Sequence, residues 1–311
     1  MKLAIEIGGT KLQLFTADET GVITRRIHHV IDPTQGAAGV LSLIARTLGE
    51  LPTLPTAIGV GFGGPVDAAT GRIITSHQVA GWTDFDLAAW LHQRTGAATI
   101  RVENDANVAA LGEARHGAGR SYRHVFYITL GSGVGGGMVV DGQLYRGTYP
   151  GEAEIGHVWI QPPNQAGQGG QTLEQACSGW AVDQLIRSQL ASLPPTSPLR
   201  RLVEQDDSQS AKVPAAQFLS PALAQQDPAA EQMLTQISHK LALGLSHATH
   251  LFHPDIIVLG GGLSLIGEPL RQAVERALSP LLVAAFRPGP AIQLAQLGPD
   301  AVPVGALALL V

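Results

Sequence analysis

The chain has 311 residues, 45% of them hydrophobic and 14% charged, with a net charge of −5 at pH 7. That length exceeds one ordinary core of about 100–150 residues, so two domains are expected, and the composition excludes an intrinsically disordered chain. No stretch approaches the ~18 uninterrupted apolar residues of a spanning helix, and with no Lys/Arg cluster larger than a pair the electrostatic footprint of a nucleic-acid binder is lacking.

The apolar run Lys2–Ile7 ends in Gly8-Gly9-Thr10, and residues 12–16 alternate with period two before the polar turn at 18–21. With residues 22–27 these segments predict a three-stranded antiparallel meander. Helical spacing follows over 37–51, with Val40, Leu41, Leu43, Ile44 and Leu48 apolar. Residues 57–62 read as a buried strand ending in Gly63-Gly64-Pro65, and a further helix is expected around 87–94. A strand over 99–102 then gives way at Asn104-Asp105 to a helix reaching about His116.

The order then recurs. Residues 125–130 form a strand ending in Gly131-Ser132-Gly133, and a hairpin strand over 137–140 turns at Asp141-Gly142, a strong hairpin signal. Residues 193–228, rich in Pro, Ser, Gln and Asp, read as a surface excursion with short helices. A helix over about 229–250 leads to a strand at 255–259 that ends in Gly260-Gly261-Gly262. The apolar segment 304–311 is expected to pack as a helix, since left exposed it would invite association.

The glycine turns carry the functional signal. Gly8, Gly9 and Thr10, with Lys11 beside them, offer backbone N–H groups that no side chain crowds, and Gly131-Ser132-Gly133 repeats the device in the second half. Glycines also serve simply to permit tight hairpins, but two such turns in matching places make phosphate cradles the stronger interpretation. Gly131 to Gly136 spells G-x-G-x-x-G, yet a dinucleotide site needs that motif to open a helix, and here the chain continues as a strand. Asp105, where a strand meets a helix, is equally suited by spacing alone to a general base and to a helix cap.

These motifs in series resemble the ROK family (repressors, open reading frames, sugar kinases) of the actin-like and hexokinase-like ATPases. The resemblance rests on Glu6-Ile7-Gly8-Gly9-Thr10-Lys11, residues 61–67, Glu103-Asn104-Asp105-Ala106-Asn107 and residues 130–137. It continues through Glu154-Ile155-Gly156-His157, Leu173-Glu174 and residues 254–262, nearly the whole chain. It implies an α/β fold of two ribonuclease H-like domains flanking an inter-domain cleft. The first would comprise residues 1–106 with a C-terminal helix at about 300–311, and the second residues 107–299. The family's repressors carry an extra N-terminal helix-turn-helix domain; a chain that opens on the first phosphate strand favours a kinase.

What the resemblance implies for single residues follows. Asp105 becomes the general base for phosphoryl transfer from ATP to a hexose primary hydroxyl. Gly64, Asn104, Glu154, His157 and Glu174 join it in binding sugar, because carboxylates and amides take paired hydrogen bonds from adjacent hydroxyls. Asp67 and Gly81 lie where the family closes its sugar pocket, while Trp82 reads as core. An exposed loop acid remains the ordinary alternative for Glu154, with Glu152 beside it an example, and a buried histidine the alternative for His157. Gly260, Gly261 and Gly262 would lie against adenosine. Glu6 stands where the family's usual Asp holds magnesium through water. Zinc is not expected, because His157 remains while the family's zinc cysteines are replaced by Gln165, Gly167 and Thr172.

Glucose is the first-choice substrate; an N-acetylhexosamine or fructose kinase, or a non-catalytic sugar-binding sensor of the repressor branch, is the alternative. Cys177, the single cysteine, reads as structural; with no cleavage-type N-terminal segment, a cytoplasmic setting is expected. Homodimerisation is implied by the resemblance alone, and neither nucleic acid nor membrane is expected as a partner.

Overall fold

A computed structural model describes residues 1–76, 78–148, 150–207 and 213–311. The period-two pattern at the start forms its meander: Lys2–Ile7 pairs antiparallel with Lys11–Ala17, which pairs antiparallel with Ile23–Val30. Ala57–Phe62 joins Lys2–Ile7 in parallel, and Thr99–Asn104 joins Ala57–Phe62 in the same sense. Both faces of the central strands are covered, which is why they read as continuous apolar runs. Leu3, Ile5, Ile7, Ile58, Val60 and Phe62 belong to one core cluster, whereas Ala4, Phe15, Val108 and Ala306 pack together in another.

The second sheet repeats the plan, in the order Gln143–Leu144, Val134–Val140, His124–Leu130, Ile256–Gly260, Ala291–Leu294. Ile256–Gly260 runs parallel to both His124–Leu130 and Ala291–Leu294. Each sheet therefore places a hairpin beside parallel strands, and the recurrence expected from the sequence is one of topology. The hairpin turn has both Asp141 (φ 50°) and Gly142 (φ 75°) at positive φ, as a type I′ turn demands.

The described residues form two compact units: Met1–Arg123 with Gly137–Ala153 and Gln296–Val311, and His124–Gly136 with Glu154–Ala295. The first unit runs past the expected limit at residue 106 because the helix Asp105–His116 lies against the C-terminal helix Ala301–Ala308. These helices touch backbone to backbone: a Cβ at Gly305 would lie 1.8 Å from Val108 O. Buried Glu113 fixes the returning chain, its carboxylate accepting the backbone N–H of Leu297 (2.8 Å), Gln296 (3.1 Å) and Ala118 (2.8 Å).

The excursion at 193–228 is less superficial than its composition suggests. Its helices Pro198–Asp207 and Leu219–Ala224 bury Leu199, Leu219 and Ala222 completely. Apolar residues at helical spacing, Leu199 and Val203, decide this over the polar average; residues 208–212 lie outside the described residues. Among the described residues no helix is long and apolar enough to cross a membrane.

Glu113→Ala leaves three N–H groups without an acceptor, that of Ala118 buried and those of Gln296 and Leu297 part-buried, and should cost roughly 1–3 kcal/mol, the scale of one buried unsatisfied group. Glu113→Gln, which keeps one acceptor oxygen, should cost less. Urea denaturation of both variants checks the order.

Candidate active site

In the first unit three parallel strands end at one level. Ile7, Phe62 and Asn104 form one row across the sheet, so Gly8, Gly63 and Asp105 leave it side by side. Gly63 N–H donates to Ile7 O at 2.8 Å. A Cβ built at Gly63 would stand 3.4 Å from Asp105 Oδ2 and 3.6 Å from Gly8 Cα. The carboxylate of Asp105 thus lies over a glycine and next to the first glycine turn. The helix is capped by Asn104, whose Oδ1 accepts from Ala106 N (2.9 Å) and Asn107 N (3.3 Å). Its Nδ2 donates to Gly64 O at 3.1 Å, drawing Gly64 into the same corner.

One row back, Glu6 and Glu103 stand on either side of Gly61. Both are buried. Glu6 accepts from Gln13 Nε2 and meets Lys11 Nζ at 2.7 Å, so the lysine at the glycine turn is paired with a carboxylate rather than merely solvated. Gln78 lies over Gly9: a Cβ there would fall 1.7 Å from its Oε1. Asp67 is engaged by its own turn, accepting from Thr70 Oγ1 (2.7 Å) and Ala69 N (3.1 Å), and the Thr70 bond above all holds its carboxyl below the usual range. Gly81 sits at φ 94° and Trp82 is core.

Glu152 departs from expectation. Its side chain is only 7% exposed, whereas that of Glu154 is 44% exposed and that of His157 is 72% exposed. Glu152 turns inward because Arg146 Nη1 binds it at 3.1 Å while also binding Glu103. Burial opposes the charge on Arg146, but Glu103 and Glu152 together outweigh it and hold the guanidinium above its ordinary range.

In the second unit the expected residues gather around Val134. Glu174 Oε2 accepts Val134 N–H at 2.9 Å and stands 2.5 Å from where a Cβ on Gly133 would be. The turn Ile155–His157 approaches the same residue, since a Cβ at Gly156 would meet Val134 O at 2.1 Å. Glu154 Oε2 and His157 Nε2 are 3.9 Å apart. The second glycine turn is closed by Gly131 N–H to Gly133 O (2.9 Å) and by Gly179 N–H to Gly131 O (2.7 Å). Gly261, at φ 80°, crosses the end of the neighbouring strand, where a Cβ would lie 2.5 Å from the Leu130 backbone; Gly262 faces open space. Gly260 to Gly262 and Gly131 to Gly133 are therefore adjacent.

The expected residues thus form one group per unit: Glu6, Gly8, Gly9, Thr10, Lys11, Gly64, Asn104 and Asp105 in the first, Gly131, Ser132, Gly133, Glu154, His157, Glu174 and Gly260 to Gly262 in the second. Gln13, Gln78 and Arg146 escaped the sequence reading, where Glu103 stood only within a motif and Glu152 only as an example of an exposed acid. Only Glu103 had a signal there, as a charge inside an apolar strand pattern. Among the described residues no three His, Cys, Asp or Glu side chains are grouped to hold a metal.

Hairpin-edged parallel sheets in two copies, with glycine turns at the strand ends and an acid where the third strand becomes a helix, make up the actin-like ATPase fold. The chain belongs to the ROK family, whose model matches residues 2–311. It is 30% identical to a glucokinase of Thermotoga maritima over 292 residues, 91% of this chain and 90% of that protein. A glucokinase of Streptomyces coelicolor is 31% identical over 98% of this chain and 96% of its own length. A ROK glucokinase from Streptomyces griseus, crystallised with glucose and AMPPNP, superposes with a TM-score of 0.83 at 29% identity, covering 99% of this chain and 98% of that one.

Cys177 takes no part in either group. It is buried against the helix Pro228–Phe252, its Sγ 3.7 Å from Ile237 O, and burial, only partly offset by Lys240, pushes its thiol up to about 12. The thiolate is the reactive form, so at pH 8 a thiol reagent should leave the folded protein unlabelled and label one cysteine in denaturant. Rapid labelling of native protein, followed by mass spectrometry, would contradict this placement.

Proposed function

We propose that this protein is an ATP-dependent hexose kinase that phosphorylates the primary hydroxyl, with glucose the first candidate. The observation that carries this is Asp105: its carboxylate overlies Gly63 beside Gly8, while its neighbour Asn104 takes the cap. A helix cap, the competing role for Asp105, is thereby filled by another residue. Membership of a family whose glucokinases match along the full chain supports the same choice.

Phosphoryl transfer asks the protein mainly for positioning and charge neutralisation. Asp105 accepts the proton of the sugar's primary hydroxyl as that oxygen bonds to the γ-phosphorus; the bond from phosphorus to the β-bridging oxygen breaks, and ADP leaves. Asn104 holds the turn that carries Asp105 and ties it to Gly64. Glu154, His157 and Glu174 contribute acceptors and donors for sugar hydroxyls. The turns at Gly8-Gly9-Thr10 and Gly131-Ser132-Gly133 present backbone N–H groups to phosphate oxygens, and Gly260-Gly261-Gly262 leaves room for adenosine.

Magnesium fits the first unit: a hard cation that keeps several waters needs only one or two carboxylates and the phosphates, and Glu6 supplies an oxygen whose partner, Lys11, is half exposed and can turn away. Bound there, magnesium would neutralise charge on the transferring phosphate. Zinc does not fit. The loop between Trp159–Gln161 and Gln171–Thr172 offers no cysteine and is tied by Asn164 Oδ1, which accepts Ala166 N (3.0 Å) and Gln168 N (2.9 Å). A cytoplasmic homodimer without nucleic-acid partners completes the proposal, in keeping with the single cysteine and the net negative charge.

Three measurements test this. Coupled ADP release with Mg-ATP over a panel of hexoses and N-acetylhexosamines should show turnover, fastest on glucose; sugar binding without turnover would favour the sensor. Asp105→Asn should keep the fold and glucose affinity while lowering kcat by about a hundredfold or more, the scale of a lost general base. A variant near the wild-type rate would remove Asp105 from the role. Metal analysis should find no stoichiometric zinc, and one zinc per chain would overturn that part.

A further inference from the structure

Glu103, Asn107, Arg146 and Glu152 close a ring of hydrogen bonds in the first unit. Arg146 Nη1 reaches both Glu103 Oε2 and, at 3.1 Å, Glu152 Oε1. Asn107 Nδ2 donates to Glu103 Oε1 at 3.1 Å and, at a longer 3.5 Å, to Glu152 Oε1. Glu103 Oε1 also accepts the backbone N–H of Asn104 at 2.8 Å. The ring therefore grips the turn that carries Asp105 on both sides, at residues 104 and 107. It also fixes Glu152, next to Ala153, which holds a positive φ of 61° without being glycine and leads directly into Glu154. Such a conformation persists only where its surroundings over-determine it.

We propose that Arg146 is a positioning residue for this kinase: by neutralising two buried carboxylates at once, it holds the Asn104-Asp105 turn and the approach to Glu154 in working geometry. The inference rests on the kinase assignment for its catalytic consequence, not for the ring itself. The charged groups around the ring are Glu103 and Asp105 from the strand and helix and Glu152 from the loop. Glu6, with Lys11, stands in the same sheet row as Glu103, two strands away. Asn107 is neutral, and among the described residues its Oδ1 is buried without a hydrogen-bond partner, while the cation paired with Glu103 and Glu152 is Arg146.

Removing Arg146 leaves two carboxylates whose side chains are 4% and 7% exposed facing each other across an amide. Like charges so placed cannot both stay ionised. Either one takes up a proton, which low pH favours, or the loop swings out, carrying Glu152 to water. Only Nη1 touches the two acids, so a lysine ammonium with three donors can replace it.

The test compares wild type, Arg146→Met, Arg146→Lys and the double variant Arg146→Met/Glu152→Gln. Arg146→Met should lower kcat at pH 8.5 by about 10- to 100-fold, the scale of a catalytic group displaced by about 1 Å, with a smaller change in KM for glucose. Its activity relative to wild type should rise as pH falls to 6. Arg146→Lys should retain most activity, and Glu152→Gln in the Met background should restore kcat and flatten the pH dependence. A readout free of turnover runs alongside. The Arg146→Met melting temperature should fall further below wild type at pH 8.5 than at pH 6, because a buried acid that is neutral at low pH must ionise as pH rises. Adding Glu152→Gln should erase that difference. Arg146→Met with wild-type kcat, or no recovery from Glu152→Gln, overturns the proposal. A wild type without turnover on any hexose would sink the kinase assignment instead, and the ring would then stand or fall on the melting data.

Discussion

The candidate site depends on the register of three parallel strands. Lys2–Ile7, Ala57–Phe62 and Thr99–Asn104 pair residue for residue, so the chain leaves all three at the same height. A slip of one residue would send each strand's side chains to the opposite faces. Asn104 would lose Gly64, and Asp105 would no longer stand over Gly63. The same register sets Glu6 and Glu103 in one row with Gly61 between them, about 10 Å apart at two strand spacings. Two buried acids are tolerable there because each has its own cation, Lys11 for Glu6 and Arg146 for Glu103.

The second unit relies on close backbone contact where the first uses charged side chains. Gly179 N–H closes on Gly131 O, Gly261 crosses Leu130, and Glu174 caps Val134 N–H from beside Gly133. Side chains at Gly133 or Gly261 would force these segments apart, whereas Gly262 is clear of neighbours. The glycine-rich composition therefore serves two ends in one place. It lets three loops approach closely, and it keeps the turn backbone clear of side chains, as an anion cradle requires.

Much of this was legible in the sequence, for reasons that are local. Strand ends marked by glycine pairs, the Asp141-Gly142 turn and the meander all follow from period and turn chemistry. The excursion at 193–228 misled because composition averages over residues, while Leu199 and Val203 act by spacing. Glu152 misled for a different reason. Nothing within its own segment says whether a loop acid is solvated; Arg146 decides it, and Arg146 is in turn committed by Glu103, 43 residues earlier. Ring partners drawn from a strand, a helix and an irregular loop leave no periodic trace. The capping alternative weighed for Asp105 falls to Asn104, one position earlier; Asn and Asp are almost equal as caps, and the strand's register selects between them.

The run Glu103-Asn104-Asp105-Ala106-Asn107 shows how one short polar segment can serve several ends. In a strand, successive side chains alternate between faces, while in a helix positions four apart align. Glu103 is the last but one residue of the strand and points back into the first unit, where Asn107, four residues on, reaches down the helix to meet it. Asn104 sits at the junction, with extended backbone (φ −60°, ψ 141°), and so is placed to cap. Asp105 is the first residue beyond, where the chain has turned and its carboxylate faces Gly63. The change from strand to helix between 104 and 105 therefore separates an acid paired with a cation, Glu103 with Arg146, from the acid proposed to gain and lose a proton, Asp105. Moving the junction one residue later would put Asp105 in the cap position and Ala106 where Asp105 now stands, leaving the space over Gly63 without an acid.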